Sequence, residues 1–266
     1  MTTATVITEA SPYQAFARFY DRAMGDAAAP LIERNFELSR LRYGIWFGSA
    51  ADVGCGTGRF LTCLSRYCDV LYGVDMSAEM LAQAQRRVRY RTVRFLQQDL
   101  QDLHLPQRVD LITCTFDTLN YLTTPTGLRR AIQRIRDNLC EGGHFVFDVI
   151  TGAGERKRRR TIQQRFRLSN THANWLITMD GPRSASRVEM LWSYTRGDGR
   201  TLQWREIHLQ KWYRLTWICN VLRRCGLFVC GIHNASSYAT ASEQTFLVHL
   251  VARREPVATI ERTLTV

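Results

Sequence analysis

Two rhythms of apolar and polar residues alternate along this chain. Val70–Val74, Val93–Leu96, Val109–Cys114 and His144–Val149 are short, nearly continuous apolar runs, the pattern of strands covered on both faces. Between them apolar residues recur at spacings of three and four: Phe60, Leu61 and Leu64; Met80, Leu81, Ala84 and Val88; Leu128, Ile132, Ile135 and Leu139. Those are helix faces turned to a sheet. Strand and helix signals in alternation predict an α/β fold with a mostly parallel sheet.

The local signals fill in this frame. Ser11-Pro12 opens a helix whose stripe is Tyr13, Phe16, Ala17 and Tyr20, and a second helix is expected over 28–42. Ser77 caps the helix before Met80, and Glu141-Gly142-Gly143 ends the one that starts near Thr126. Further on, strands are expected around Trp175–Met179, Val188–Tyr194 and Leu202–Tyr213, with Gly197-Asp198-Gly199 as a hairpin turn. Thr216 caps a short helix ending near Gly226, followed by strands at Leu227–Ile232 and Phe246–Ala252.

Small residues at Ser49-Ala50-Ala51 lead into Asp52-Val53-Gly54-Cys55-Gly56-Thr57-Gly58. Glycines at alternate positions let the backbone turn sharply and approach a ligand that a Cβ would push away. The first amides of the following helix then point at that ligand. The Gly-Lys-Ser/Thr ending of a phosphate loop is absent, and so is the G-x-G-x-x-G spacing of dinucleotide folds. The run resembles the first motif of the class I S-adenosylmethionine (SAM)-dependent methyltransferases, and the order of the strands, acids and loops downstream is similar to that family over about residues 11–254.

The resemblance implies a Rossmann-like methyltransferase fold, a seven-stranded, mostly parallel sheet with an antiparallel last strand and a β-rich insertion after the fifth strand. Residues 1–266 are read as one domain: a helical lid (1–45), a SAM-binding core (46–150), a substrate-lid insertion (151–212), sheet closure (213–254) and a tail (255–266). It also implies cofactor contacts at Asp52, Gly54, Cys55, Gly56 and Gly58, with Asp75 and Met76 at the ribose, Asp99 and Leu100 at the adenine, and Thr115 beside them. Tyr20-Asp21 is similar to a Tyr-Asp pair on an N-terminal helix that lies across this site. Phe116 and Asn120 are the implied substrate contacts of the loop after the fourth strand; Tyr121 stands where related amino-sugar N-methyltransferases carry a His.

Charge separates the two halves. Residues 1–150 hold 17 basic against 16 acidic residues, and residues 151–266 hold 19 against 8, so the net charge of +12 sits almost wholly in the second half. The run Arg156-Lys157-Arg158-Arg159-Arg160 opens the insertion, and Arg158 is the candidate to attract an anionic substrate. Eight cysteines show no C-x-x-C pair and no zinc spacing, so no metal is expected and the thiols are read as reduced. No secretory signal and no apolar run near ~18 residues is present, which points to a cytoplasmic protein without a membrane partner.

On the insertion, Glu206, His208 and Gln210 share one face of a strand of period two, making His208 the candidate base and Tyr121 its companion in catalysis. His144, His172, His233 and His249 have no evident partner. Three functions are compatible with these features: methyl transfer to N or O of a small, anionic metabolite by in-line displacement, with S-adenosylhomocysteine as product; RNA methylation docked on the basic half; or SAM binding without transfer. The first is favoured, since no nucleic-acid-binding module is appended and the Asp/Asn-Pro-Pro-Tyr loop of base-amino methylases is replaced by Phe116-Asp117-Thr118-Leu119. A homodimer is left open.

Overall fold

A computed structural model of the chain describes residues 7–90, 93–153, 160–168, 171–180, 185–195 and 201–255. Twelve strands and five α-helices appear among them. The α/β core uses β2 (Ser49–Val53), α2 (Arg59–Leu64), β3 (Val70–Asp75), α3 (Ala78–Arg87), β4 (Val93–Gln97), β5 (Val109–Cys114), α4 (Pro125–Asn138) and β6 (Leu139–Ile150). It is completed by α5 (Leu215–Arg224), β11 (Leu227–Asn234) and β12 (Leu247–Arg254). The seven strands lie in the order β11-β12-β6-β5-β2-β3-β4, with β12 antiparallel to both neighbours and the other pairings parallel. The expected Rossmann-like architecture is therefore present.

The continuous apolar runs are explained by two-sided burial. Tyr72, Ile112, Phe145 and Phe147 face the cluster that α4 and α5 cover. Their alternates Leu71, Leu111 and Val146 face Phe36, Leu61 and Leu64 on the other side. Strand order reverses between β2 and β5, the position where α/β sheets bind ligands at the carboxyl ends of their strands.

A second sheet, order β1-β10-β9-β8-β7, is built from β7 (Arg160–Leu168), β8 (Thr171–Asp180), β9 (Ala185–Thr195), β10 (Thr201–Lys211) and the N-terminal β1 (Ile7–Ala10). The Gly197-Asp198-Gly199 turn and Arg158 lie outside the described residues, as do 256–266. Among the described residues no helix is long and apolar enough to cross a membrane.

Three local expectations change. The helix expected from Ser11 is instead a turn, a 3-10 segment at Phe16–Arg18 and a π turn at Asp21–Gly25 leading into α1 (Asp26–Arg42). Tyr13 sits at φ +65°, a left-handed conformation that interrupts a helix at its first turn. Second, α4 ends at Asn138, and Glu141-Gly142-Gly143 belongs to β6. Third, Thr216 is inside α5; the Glu243 carboxylate accepts the Leu215 and Thr216 amides (3.2 and 2.6 Å) and so supplies the missing cap from another element.

Two of the histidines without an evident partner fasten α1 to the far end of the sheet. His233 Nε2 meets Tyr43 Oη at 2.6 Å and His249 Nε2 meets Ser39 Oγ at 2.8 Å. Burial, and then neighbouring His233, hold the His249 imidazole down to about 3. A histidine folded as the neutral base contributes stability above its unfolded value near 6.5, and that contribution is lost as pH falls from there toward about 3. The difference in urea-unfolding free energy between the wild-type chain and His249→Asn should therefore shrink by about 1.4 kcal/mol per pH unit below pH 6. A difference that does not change with pH would contradict the buried neutral state.

Candidate active site

The glycine loop is fastened to the adjacent strand before any ligand is considered. Gly54 and Cys55 both donate their amides to the Val74 carbonyl, at 2.7 and 3.0 Å. That brings the end of β3 against the turn, and Asp75 then accepts the Gly56 amide on Oδ2 and the Ser77 amide on Oδ1, each at 2.9 Å. A carboxylate has about four acceptor positions, so acceptor capacity remains for a hydroxyl donor. Gly54 and Gly56 have positive φ (+73° and +53°) but serve different needs. A Cβ at Gly54 would fall 2.6 Å from Thr118 Oγ1, whereas one at Gly56 would meet nothing within 4 Å. The first glycine makes room for protein and the second for space.

That space is a cavity of about 740 Å³, joined to an annex of about 60 Å³ through shared walls at Tyr20, Gly54, Gly56, Thr115 and Phe116. Asp75, Met76, Asp99 and Leu100 line the larger part. Asp52 and Cys55 line the annex. Asp99 also caps its own 3-10 turn, accepting the Gln101 amide at 2.7 Å. Asp52 is 2% exposed and accepts the Thr113 hydroxyl at 2.7 Å. Burial pushes its carboxyl up to about 7, against the pull of that hydrogen bond. Burial also raises the Cys55 thiol well above its usual range, with Asp75 and Asp52 adding to it, so it is no nucleophile.

A lid crosses this cavity from the N-terminal side. Asp21 accepts Thr57 Oγ1 at 2.6 Å and Arg59 Nε at 2.9 Å, and pairs with Arg87, tying the π turn to the glycine loop and to α3. Tyr13, Tyr20 and Phe116 contribute a wall of rings, Tyr13–Tyr20 and Tyr20–Phe116 meeting edge-on with centroids 5.9 and 6.0 Å apart. From the second sheet Ile207 and Leu209 of β10 close the opposite side.

The two expected catalytic residues meet. Tyr121 lines the cavity, and its hydroxyl lies 2.9 Å from His208 Nδ1 and 2.5 Å from the Tyr13 hydroxyl. His208 is 1% exposed, bonded to Tyr121 and packed edge-on against Tyr13 with ring centroids 4.9 Å apart. Its Nε2 lies 3.1 Å from Glu206 Oε2. Burial first, then Asp117, pushes the Tyr121 phenol up, so at neutral pH it is a neutral hydroxyl that both donates and accepts. Asp117, at φ +51°, is pushed up to about 7 by burial and then by Asp148.

Other expected contacts are placed elsewhere. Asn120 is 1% exposed and spends its amide on structure: Nδ2 donates to the Ile150 and Lys211 carbonyls (2.9 and 2.7 Å) and Oδ1 accepts the Ile150 amide. Gly58 turns toward Ala84 and Val88 of the α3 region, its missing Cβ allowing that close approach. Spacing places Tyr13 in a helix stripe and Glu206 on the His208 face of a strand, but gives neither the contacts that they make here. Asp21 could be found only as half of the Tyr20-Asp21 pair, since its partners are 36 to 66 positions away.

A separate groove of about 920 Å³ is lined by Arg130, Arg134, Arg136, Arg223 and Arg224. It shares no lining residue with the cavity. It lies where β6 and β11 begin, the opposite edge of the sheet from the glycine loop.

Comparison with known proteins now bears on the site. Residues 50–143, from β2 to the glycines of β6, match the family model described as a methyltransferase domain. Over that segment the chain is similar to a methyltransferase domain. A provisionally named methyltransferase of Geobacillus sp. (strain WCH70) is 29% identical over 248 residues, covering 91% of this chain and 99% of the relative. The dTDP-3-amino-3,6-dideoxy-alpha-D-glucopyranose N,N-dimethyltransferase of Streptomyces fradiae is 29% identical over 136 residues, 51% of this chain and 49% of its own length. In fold, the chain is similar to the sugar N-methyltransferase KedS8 of Streptoalloteichus sp. (TM-score 0.78, 20% identity, 96% and 98% of the two chains). It is also similar to an S-adenosylmethionine-dependent methyltransferase of Clostridium acetobutylicum (TM-score 0.77, 21% identity, 92% and 99%).

The two glycines give a paired test. Gly54→Ala should lower the melting temperature by several degrees, because Thr118 must move. Gly56→Ala should keep most of the stability, losing about 1 kcal/mol to its left-handed backbone, but should weaken SAM binding at least tenfold in calorimetry. Equal effects of both substitutions on melting and binding would refute this division.

Proposed function

We propose that this chain transfers the methyl group of S-adenosylmethionine to a nitrogen of a small, amine-bearing molecule. One observation carries the reading: a single cavity has the glycine loop with Asp75 and Asp99 on one wall, and the Tyr121 hydroxyl backed by His208 on another. When bound, SAM supplies a sulfonium methyl group. Gly56 gives the backbone approach, Asp75 accepts the ribose hydroxyls, Asp99 accepts the adenine amine, and Asp52 lies beside the annex suited to the amino-acid end.

The transfer is an in-line displacement, for which the chain's task is to hold nucleophile and methyl about 3–3.5 Å apart and aligned. Such placement can supply ~7 kcal/mol or more of the barrier. Tyr20, Tyr13 and Phe116 exclude water and offer ring faces to a cationic reacting centre. Tyr13 and Tyr121, with His208 behind them, carry away the proton that the acceptor nitrogen gives up.

The charge of the walls supports an amine over the anionic substrate. Among the described residues no Arg or Lys lines the larger cavity to hold an anionic substrate. The anionic reading relied on Arg158, which lies outside the described residues. Relatives named for the methylation of amino sugars fit the same chemistry. The arginine groove favours no RNA substrate, since a strand held there would lie across the sheet from the cavity.

Incubated with methyl-labelled SAM and a cell extract, the chain should move label into small amines and leave the RNA fraction unlabelled. Tyr121→Phe should lower kcat by about 10- to 100-fold while leaving the SAM dissociation constant unchanged. Label in RNA, or a variant as fast as wild type, would overturn the proposal.

A pH test addresses Asp52 separately. Its carboxyl is held at about 7 in the unliganded fold, and a cationic group in the annex prefers the ionised form. SAM affinity should thus rise from pH 6 to pH 8 in the wild-type chain and stay flat over that range in Asp52→Asn. A flat wild-type profile would remove Asp52 from the cofactor site.

A further inference from the structure

We infer that Glu206 is the positioning residue of this reaction, fixing the histidine that takes the proton and the N-terminal segment that covers the cavity with one carboxylate. The inference rests on the methyl-transfer reading above. Glu206 is 0% exposed on β10. Its Oε1 accepts the amides of Ala15 and Phe16 at 2.6 and 2.8 Å. Its Oε2 accepts the amide of Tyr13 at 3.0 Å and lies 3.1 Å from His208 Nε2. Four N–H groups thus surround a buried negative charge, which is what such a charge needs in order to persist there.

This arrangement fixes direction. A carboxylate can only accept, so His208 Nε2 carries the hydrogen, and the bare nitrogen of the neutral ring is Nδ1. Nδ1 then accepts the Tyr121 O–H at 2.9 Å, and the Tyr121 oxygen accepts the Tyr13 O–H at 2.5 Å. Every donor in the row points inward, which leaves a lone pair of the Tyr13 oxygen, on the cavity wall, to receive a proton.

The proton balance closes along this row. An acceptor ammonium gives its proton to the Tyr13 oxygen. Tyr13 passes its own to Tyr121, and Tyr121 passes its own to His208 Nδ1, leaving an imidazolium against the Glu206 carboxylate. The electron pair freed on nitrogen forms the N–C bond, and the pair of the broken S–C bond stays on sulfur.

The same carboxylate makes the row conditional on the lid. Tyr13 is held at φ +65°, a left-handed conformation that a tyrosine rarely adopts and that surrounding contacts must maintain. Glu206 supplies that contact to the very segment whose phenol begins the row. With residues 13–16 undocked, Tyr13 is absent and the carboxylate loses three of its four donors. Base orientation and coverage of the cavity are then one event.

Three readings test this, and only one needs turnover. In the wild-type chain, ring-nitrogen NMR should show His208 as the neutral Nε2–H tautomer, and an Nδ1–H tautomer would overturn the inference. Amide exchange over residues 11–16 should be faster in Glu206→Gln and unchanged in His208→Asn; unchanged exchange in Glu206→Gln would overturn it as well. In kinetics, Glu206→Gln and His208→Asn should each lower kcat at least tenfold, and the double variant should be within about twofold of the slower single one. Losses that multiply would mean that Glu206 does not act through His208. No label moved by the wild-type chain would overturn the methyl-transfer reading, whereas normal turnover with the wrong tautomer would overturn the role of Glu206 alone.

Discussion

The arrangement of the site depends on one carbonyl. Val74 O receives the amides of Gly54 and Cys55 together, so the turn after β2 cannot shift without the end of β3. That junction sets the position of Asp75, its bonds to the Gly56 and Ser77 amides, and the start of α3. Thr118, packed where a Cβ of Gly54 would lie, adds the end of β5 to the same unit. Three strand ends are thereby set at fixed separations by bonds that form without ligand. Such a site is pre-organised, and binding has little backbone ordering left to offset.

This part of the molecule was legible because its causes are local. A glycine at Gly56 is required by a backbone bend and an open approach, both of which involve only its neighbours. Asp75 and Asp99 follow their strands directly, and the strands announce themselves by apolar runs that both sheet faces demand. Ser77 was readable as a cap for the same reason: its hydroxyl accepts the Met80 amide three positions on, at 3.2 Å. The order of these signals, more than any single one, corresponds to the match over residues 50–143.

The N-terminal segment was misread because its partner is remote. Ser11-Pro12 and the stripe Tyr13, Phe16, Ala17, Tyr20 satisfy every local rule for a helix. What overrides them is a carboxylate about 190 positions away that takes the amides of Tyr13, Ala15 and Phe16. A helix would leave its first amides unpaired; Glu206 accepts them in a different conformation and from outside. The Glu243 cap on α5 is a second instance, with a partner 27 and 28 positions from the amides it serves. Asn120 shows the converse error. Position in the loop suggested a ligand contact, but its two carbonyl acceptors and one amide donor belong to the backbone of β6 and β10.

These remote contacts join the two sheets into one site. The core sheet alone offers the glycine loop and the acids of β3 and β4, which is enough to bind a cofactor but leaves the reacting end open to water. The second sheet brings β10, whose period of two places Glu206 and His208 inward while Ile207 and Leu209 face the cavity. Asp21 ties the lid to the glycine loop, and Glu206 ties it to His208. The lid is therefore anchored by one carboxylate on each side of the cavity, and release of either would open the path to solvent. In a reaction whose competing fate is hydrolysis, water has to be excluded as the reactants are brought together, and the double anchoring of residues 13–21 is a physical means of covering the cavity and holding the His208 side of it at once.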